Sequence, residues 1–330
     1  MNICILNASN PKDINLESDE YVDLRSRKDC FEGNKVVKQC RSWHSWAYAL
    51  GSEYFVYNKQ GWPGVFKYDG VVVLVNRDIH LALPLITKLK AAGKKVAVSF
   101  HEGVQDLLIT PGQKWIDLRL AVELADFYVN IFGQYQAFFE GWFGKDKVKF
   151  VNHTAPFDWD HGLSIPWRER TGDVLCGTRT FNQRLSRNTF ITLATLSGWA
   201  KENPGRKIDY ITEDGTVDHI SGIIQAFGLN NITVHQGPLE YNKWLNFLAN
   251  YKYVCHMDTS SNLSQIVFDC VMLDVLCIGS TGWLNQELGS ADGGSSKKML
   301  EILKQAPFSF WKRAQFHPEK IKRDLLEIFE

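Results

Sequence analysis

Hydrophobic positions along this chain follow two alternating patterns. Short apolar runs of strand length, rich in β-branched residues, are separated by longer stretches with a helical period. In the first half, strand patterns occur at NICILN (2–7), EYFVYN (53–58), GVVVLV (70–75), KVAVSF (95–100), FYVNIF (127–132) and VKFVNH (148–153). Helical patterns fall between them. In IHLALPLITKLKAAG (79–93) the spacing predicts a helix that Gly93 ends, with Lys94 and Lys95 leading into the next strand. Strands alternating with helices in this way predict parallel α/β layers.

The rhythm breaks at APFDWDHGLSIPWRERTGD (155–173), whose prolines and glycines leave no clear period and predict a connector. It resumes with DVLCGT (173–178), KIDYIT (207–212), ITVHQG (232–237), KYVCHM (252–257) and VLCIGS (275–280). PEKIKRDLLEIFE (318–330) then reads as an amphipathic helix with no strand after it. The expected organisation is α/β, with two doubly wound parallel-sheet domains in tandem. These are an N-terminal Rossmann-like domain over 1–160, a linker over 161–172, a second Rossmann-like domain over 173–305 and a helical segment over 306–330. Two such domains facing each other are expected to form a cleft outside the carboxyl ends of their strands, where open α/β sheets bind ligands.

Composition narrows this picture. A length of 330 residues suits two cores, and 45% hydrophobic with 22% charged residues describes an ordinary globular chain. Lys plus Arg and Asp plus Glu both number 37, so no broad field attracts nucleic acid or an anionic membrane. The basic runs RSRKD (25–29) and KVVKQCR (35–41) read as solvated faces or as a local patch. The N-terminus lacks the basic segment and long apolar stretch of a signal peptide, and no apolar run of roughly eighteen residues could span a bilayer. The 7 cysteines form no CxxC pair; Cys4, Cys176, Cys255 and Cys277 sit inside apolar runs as small core residues. The expected location is a reducing cytoplasm, which makes the sequons at Asn152, Asn231 and Asn262 chance matches.

The chemistry begins with absences. The first strand–helix loop, NASNPKD (7–13), lacks GxGxxG, and GxxxxGK[ST] occurs nowhere, which argues against nicotinamide dehydrogenases and P-loop nucleotidases. No His/Cys/Glu cluster has metal-ligand spacing, and no GxSxG elbow occurs. Asp158-Trp159-Asp160 mimics a metal-holding Asp-x-Asp, but its place in the connector marks it as structural.

Three stretches remain. CGTRTFNQRLSRN (176–188) puts Arg179, Arg184 and Arg187 after a strand end, beside a helix start, as a diphosphate site would require. The plain alternative is solvated loop arginines. MDTSSNLSQIVFD (257–269) offers Ser260, Ser261 and Asn262 as N-caps whose backbone N–H groups suit an anion. Asp269 follows about one and a half to two turns into that helix, on a face expected to reach back toward the cleft. It reads as a grip on ribose hydroxyls or as a polar position on an amphipathic helix. VAVSFHEG (96–103) ends a strand in His101 and Glu102, either a pair placed for proton transfer or an ordinary polar strand end.

Together these stretches resemble the GT-B glycosyltransferases, which pair two Rossmann-like domains and bind a nucleotide sugar in the C-terminal half. The segment 125–160 is similar to the family's approach to its connector. Residues 232–259 are similar to its strand–Gly-Pro–helix–strand signature, in which Gly237, Pro238 and Leu239 would lie against the nucleotide base. DCVMLDVLCIGS (269–280) is similar to the family's Glu-Ala-x-Ala-x-Gly-x-Pro-x-Ile block, which puts Asp269 in the place of the ribose-binding acid. Arg179 and Arg184, after Gly177, are similar to the Arg and Lys that hold the donor diphosphate in retaining members. Departures are specific. Ser261 stands where retaining members carry a second Glu, and Asp274 and Leu276 replace the block's Gly and Pro. These changes look more like the phage DNA β-glucosyltransferase, an inverting relative whose catalytic aspartate ends the strand at the place of Glu102.

The resemblance implies transfer of a sugar from a nucleotide diphosphate sugar, UDP favoured, to an acceptor hydroxyl. The acceptor is a glycan, a small molecule or a hydroxymethylated DNA base. Gly177, Arg179 and Arg184 would hold the diphosphate, and Ser260, Ser261, Asn262, Ser264 and Gln265 would donate hydrogen bonds to phosphate. Glu102, or failing it His101, would take the acceptor's proton or bind the transferred sugar. No tightly bound cofactor and no metal for donor binding are expected. Two other classes stay open: a nucleotide-sugar epimerase or hydrolase of the same fold, and a non-catalytic sugar-nucleotide-binding protein. Trp43 and Trp46 either face the acceptor or pack in the core.

Overall fold

A computed structural model describes residues 1–8, 22–23, 44–57, 61–76, 78–101, 104, 112–152, 163–177, 189–212, 217–237, 239, 241–257, 265–279, 301 and 317–330. The chain divides into two compact units, Met1–Trp159 with Arg313–Glu330, and Asp160–Lys312.

Unit 1 is built on strands β1 (Ile3–Asn7), β2 (Val22–Asp23), β3 (Glu53–Val56), β4 (Gly70–Val75), β5 (Lys95–Phe100), β6 (Phe127–Asn130) and β7 (Val148–Phe150). They form one 7-stranded sheet in the order β2-β3-β1-β4-β5-β6-β7. All pairs are parallel except β2 with β3, an antiparallel edge with Val22 opposite Tyr54. The run GVVVLV of β4 is buried at every position, as expected of a central parallel strand covered by helices on both faces. Helices α1 (Ser45–Leu50), α2 (Ala82–Ala91), α3 (Gly112–Leu124) and α4 (Gln136–Phe143) belong to the same unit. Helix α2 buries Ala82, Leu85, Ile86 and Leu89, the helical stripe that the sequence shows. Its first turn is instead a 3-10 segment, Ile79–Leu81.

Unit 2 carries β8 (Gly172–Cys176), β9 (Ile208–Thr212), β10 (Ile232–Gln236), β11 (Tyr251–Cys255) and β12 (Leu276–Ile278). Its sheet is 5-stranded and parallel throughout, in the order β10-β9-β8-β11-β12. Helices α5 (Thr189–Glu202), α6 (Val217–Ala226), α7 (Tyr241–Ala249) and α8 (Gln265–Met272) connect these strands.

The last helix, α9 (Pro318–Phe329), rejoins unit 1. It buries Ile321, Leu325 and Phe329. Phe329 meets Phe127 edge-on at 6.3 Å, and its carbonyl accepts from Lys95 Nζ. The His317 side chain caps the helix, its Nδ1 accepting from the Glu319 N–H at 3.2 Å.

Among the described residues no helix is long and apolar enough to cross a membrane. The five described cysteines, Cys4, Cys176, Cys255, Cys270 and Cys277, are free and buried. Burial pushes the thiols of Cys4, Cys176, Cys255 and Cys270 up, which keeps them protonated core groups.

Candidate functional site

The strand order of unit 2 starts at β8, steps outward to β9 and β10, then returns to β11 on the other side of β8. The connections therefore diverge between β8 and β11, and the carboxyl ends of those strands flank the crevice where such sheets take ligands. Gly177 ends β8 there with φ +96°, a conformation open to glycine and strained for other residues. Just past β11, His256 is buried and its N–H donates to the Ile278 carbonyl of β12 at 2.9 Å. The Met257 N–H, next along, donates to Thr192 Oγ1 of α5 at 3.4 Å. Gly237 follows β10, with its N–H donating to the Thr212 carbonyl at 2.6 Å. A Cβ on Gly237 would lie 3.0 Å from that oxygen, tighter than side chains ordinarily approach, so a larger residue there would need its neighbours to give. Leu239 is half-buried just beyond.

Asp269 is the fifth residue of α8, little more than one turn in, and only 2% exposed. The face it occupies is the one against α7. Tyr241 Oη donates to Asp269 Oδ1 at 2.7 Å, and Trp244 Nε1 donates to Asp269 Oδ2 at 2.8 Å. Tyr241 and Trp244 are themselves buried and lie one turn apart on α7, so their polar tips converge on one carboxylate. Neither was singled out from sequence. The available signal was the pair of amphipathic aromatics in EYNKW, each needing a partner for its O–H or N–H once buried.

The C-terminal end of α8 is fixed by a residue from the connector. Arg170 is 5% exposed, and its guanidinium donates to four carbonyls. These are Ile165 (2.8 Å), Tyr251 (2.9 Å), Leu273 (2.9 Å) and Asp274 (2.9 Å). Burial lowers its pKa below the usual arginine value. Asp274 has φ +59°, the left-handed conformation that ends a helix. The block's glycine stands at this position in the resemblance, and aspartate is among the few other residues that adopt this conformation readily.

In unit 1, Asn7, Asn76, His101 and Asn130 stand at or just past the carboxyl ends of β1, β4, β5 and β6. His101 is half-buried, and the ring of Trp46 meets it edge-on at 5.3 Å. Trp46 is 1% exposed and its Nε1 donates to the Asn152 carbonyl at 3.0 Å. Of the two readings of Trp46, core packing is the one found. Asn130 is held by Phe132 and Gln136, with its Oδ1 accepting from the Phe132 N–H at 2.9 Å.

Glu102, Trp43, Arg179, Arg184, Ser260, Ser261, Asn262 and Ser264 lie outside the described residues, and Gln265 is described for its backbone alone. Of the predicted site residues that are described, Gly177 follows β8 and Leu239 lies beyond β10 in unit 2, Asp269 turns toward α7, and His101 belongs to the strand ends of unit 1. A further cavity of about 600 Å³ lies on α3 and α4, lined by Trp115, Ile116, Arg119, Phe138 and Trp142, on helices rather than at strand ends. Among the described residues no group of three or more His, Cys, Asp or Glu side chains is arranged to hold a metal ion.

No protein-family model matches the chain, and no curated protein matches it. Solved structures do. Anabaena Alr3699/HepE in complex with UDP matches with a TM-score of 0.66 and 13% identity, over 100% of this chain and 99% of that one. The pneumococcal O-GlcNAc transferase GtfA in complex with UDP and GlcNAc matches with a TM-score of 0.59 and 12% identity, over 79% of this chain and 57% of that one. UDP-GlcNAc 2-epimerase from Methanocaldococcus jannaschii matches with a TM-score of 0.54 and 14% identity, over 100% of this chain and 99% of that one. At these identities the likeness establishes the fold: the chain has the GT-B architecture of two Rossmann-like α/β units.

Proposed function

We propose that the protein is a glycosyltransferase that moves a sugar from a UDP-sugar to an acceptor hydroxyl. The observation that carries this reading is the GT-B likeness over the whole chain to a protein solved with UDP and with UDP-glucose. The strand ends of unit 2 add a local reason. The glycine-permitted turn at Gly177, after β8, suits a diphosphate held against the chain, and the close backbone approach at Gly237, after β10, suits a base.

In this reading the bond between the sugar's anomeric carbon and the β-phosphate oxygen breaks, and UDP leaves with the electron pair. Arg179 and Arg184 neutralise the charge that grows on the departing diphosphate. The residues from Ser260 to Gln265 donate hydrogen bonds to phosphate, Leu239 borders the base and Asp269 takes the ribose hydroxyls. The acceptor oxygen bonds to the anomeric carbon as its proton passes to Glu102, or to His101 in its place. The acceptor is a glycan, a small molecule or a hydroxymethylated DNA base.

Thermal unfolding against a panel of UDP- and GDP-sugars tests the donor assignment, because selective binding to the folded state raises the melting temperature. A shift with a UDP-sugar that Arg184→Ala abolishes supports the reading. No shift with any nucleotide sugar overturns it. The epimerase likeness supports a second reading, a nucleotide-sugar epimerase or hydrolase. Turnover of the donor to an isomer or free sugar in the absence of any acceptor would select it.

A further inference from the structure

We propose that a cavity at the amino ends of β1 and β4 in unit 1 is a binding site for a small organic acid, a single carboxylate on an apolar body. The cavity has a volume of about 530 Å³ and is lined by Ile3, Leu50, Lys67, Tyr68, Lys322 and Leu326, among others. That is the size of an ordinary small-molecule site. Ile3 opens β1, Tyr68 stands two residues before β4, and Leu50 ends α1. The cavity therefore lies at the edge of the sheet opposite Asn7, Asn76 and His101, away from the strand ends read as the acceptor side.

The charges at this cavity do not cancel. Tyr68 Oη donates to the Glu53 carboxylate, and Lys67 Nζ lies 2.5 Å from the same Oε2. Glu53 is 1% exposed, so the charge of Lys67 is committed to balancing a buried carboxylate. Burial, together with the bond to Glu53, pushes the Tyr68 hydroxyl up and keeps it neutral. Lys322 has no such partner. On α9 its neighbours pair one turn on, Lys320 with Asp324 and Arg323 with Glu327. The residue one turn beyond Lys322 is Leu326, which shares the cavity wall. Lys322 is half-buried, and among the described residues no carboxylate pairs with its ammonium. The cavity thus keeps one positive charge that the chain does not balance.

A half-buried cation gives up hydration, and without a partner nothing returns that loss. A carboxylate in the cavity returns it, and the single unbalanced charge selects a monoanion. Lys67 can share the ligand, because an ammonium has three N–H donors and Glu53 takes one. The hydrocarbon of Ile3, Leu50 and Leu326 in the same wall selects an acid with an apolar body over a fully hydrated ion. A bound acid would tie α9, through Lys322, to the segment that enters β4, through Lys67, and so fasten the last helix to unit 1.

The test is calorimetric affinity of the full chain for hexanoate, acetate and hexanol at fixed ionic strength, in the wild type and in Lys322→Gln. Thermal unfolding checks that the variant is folded. Hexanoate should bind saturably. Acetate should bind about tenfold more weakly or worse, the effect of roughly two buried methylenes, and hexanol about tenfold more weakly or worse, the effect of a charge-assisted hydrogen bond. Lys322→Gln should weaken hexanoate by about tenfold or more. Lysine acetylation mapped by mass spectrometry locates the site: hexanoate should protect Lys322 and leave Lys145, an exposed lysine elsewhere in unit 1, reactive. Absence of saturable hexanoate binding overturns the proposal. Equal affinity for acetate would show that the apolar wall plays no part, and equal affinity for hexanol that the charge plays none; either result overturns it. Unchanged affinity in folded Lys322→Gln, or equal protection of Lys145, would place the binding elsewhere and overturns it as well.

Discussion

Replacing Arg170 with methionine tests the structural logic that holds α8 in place. The guanidinium is 5% exposed and donates to the carbonyls of Ile165, Tyr251, Leu273 and Asp274, all within 2.8 to 2.9 Å. A hydrogen bond from a charged donor contributes about 1.5–3 kcal/mol, and a buried acceptor left without its donor costs about 1–3 kcal/mol. Four such carbonyls set an upper bound that is not reached. Asp274 is exposed, so water can replace part of the guanidinium at the end of α8, and burial of the charge already carries a desolvation cost that methionine removes. The expected loss for Arg170→Met is therefore roughly 3–5 kcal/mol, confined to unit 2. Arg170→Lys keeps the charge and loses the planar fork, so it should fall between wild type and Arg170→Met. The two units need not unfold together, which makes hydrogen exchange read by mass spectrometry the suitable assay. Peptides covering β11, α8 and β12 should lose protection by the stated amount while those covering β4 and β5 stay unchanged. A loss below about 1 kcal/mol, or an equal loss in both units, would refute the reasoning.

Three further outcomes follow from individual contacts. Gly237→Ala places a Cβ 3.0 Å from the Thr212 carbonyl and 3.3 Å from Ile211 Cγ1; it should cost about 1–3 kcal/mol of unit 2 stability, read by the same exchange experiment. Asp274, at φ +59°, should tolerate glycine and lose about 1–2 kcal/mol on change to valine, because the β-branched side chain clashes in that conformation. The Asp173 carboxyl is held below its ordinary 3.8: burial alone would raise it, but hydrogen bonds from Lys252 and the Lys207 N–H and the charges of Lys252 and Arg206 outweigh that. The unfolded chain therefore binds this proton more tightly, so the stability Asp173 contributes is complete above its unfolded value and is lost as pH falls through its lower folded value. Asp173→Asn should flatten the acid limb of the unfolding curve below about pH 4, measured by circular dichroism.

The layer architecture was readable because its cause is local. The runs that became β1, β4, β5, β8 and β11 are mostly apolar and each carries at least one β-branched residue, and runs of that length and composition have few other uses in a globular chain. Strand β2 escaped notice because two residues carry no period, and their pairing depends on Tyr54 and Glu53 lying alongside. The partner of α9 escaped for a similar reason: PEKIKRDLLEIFE shows an apolar stripe without naming the surface that receives it. Asp269 shows the same limit at the candidate site. Its spacing placed it on a helix, yet which helix packs beside it is settled by Tyr241 and Trp244, 28 and 25 positions away. Arg170 read as a polar connector residue, and only the fold brings the carbonyls of Tyr251, Leu273 and Asp274 around it.

The central claim is that unit 2 holds a uridine nucleotide at its strand ends, with the base against the segment at Gly237 to Leu239. Photolabelling the full chain with 5-azido-UDP-glucose, followed by peptide mapping with mass spectrometry, tests it most directly. The account predicts label in the peptide that contains Gly237, Leu239 and Tyr241, and loss of that label when excess UDP competes. Label on unit 1 peptides, or label that excess UDP leaves unchanged, would contradict it.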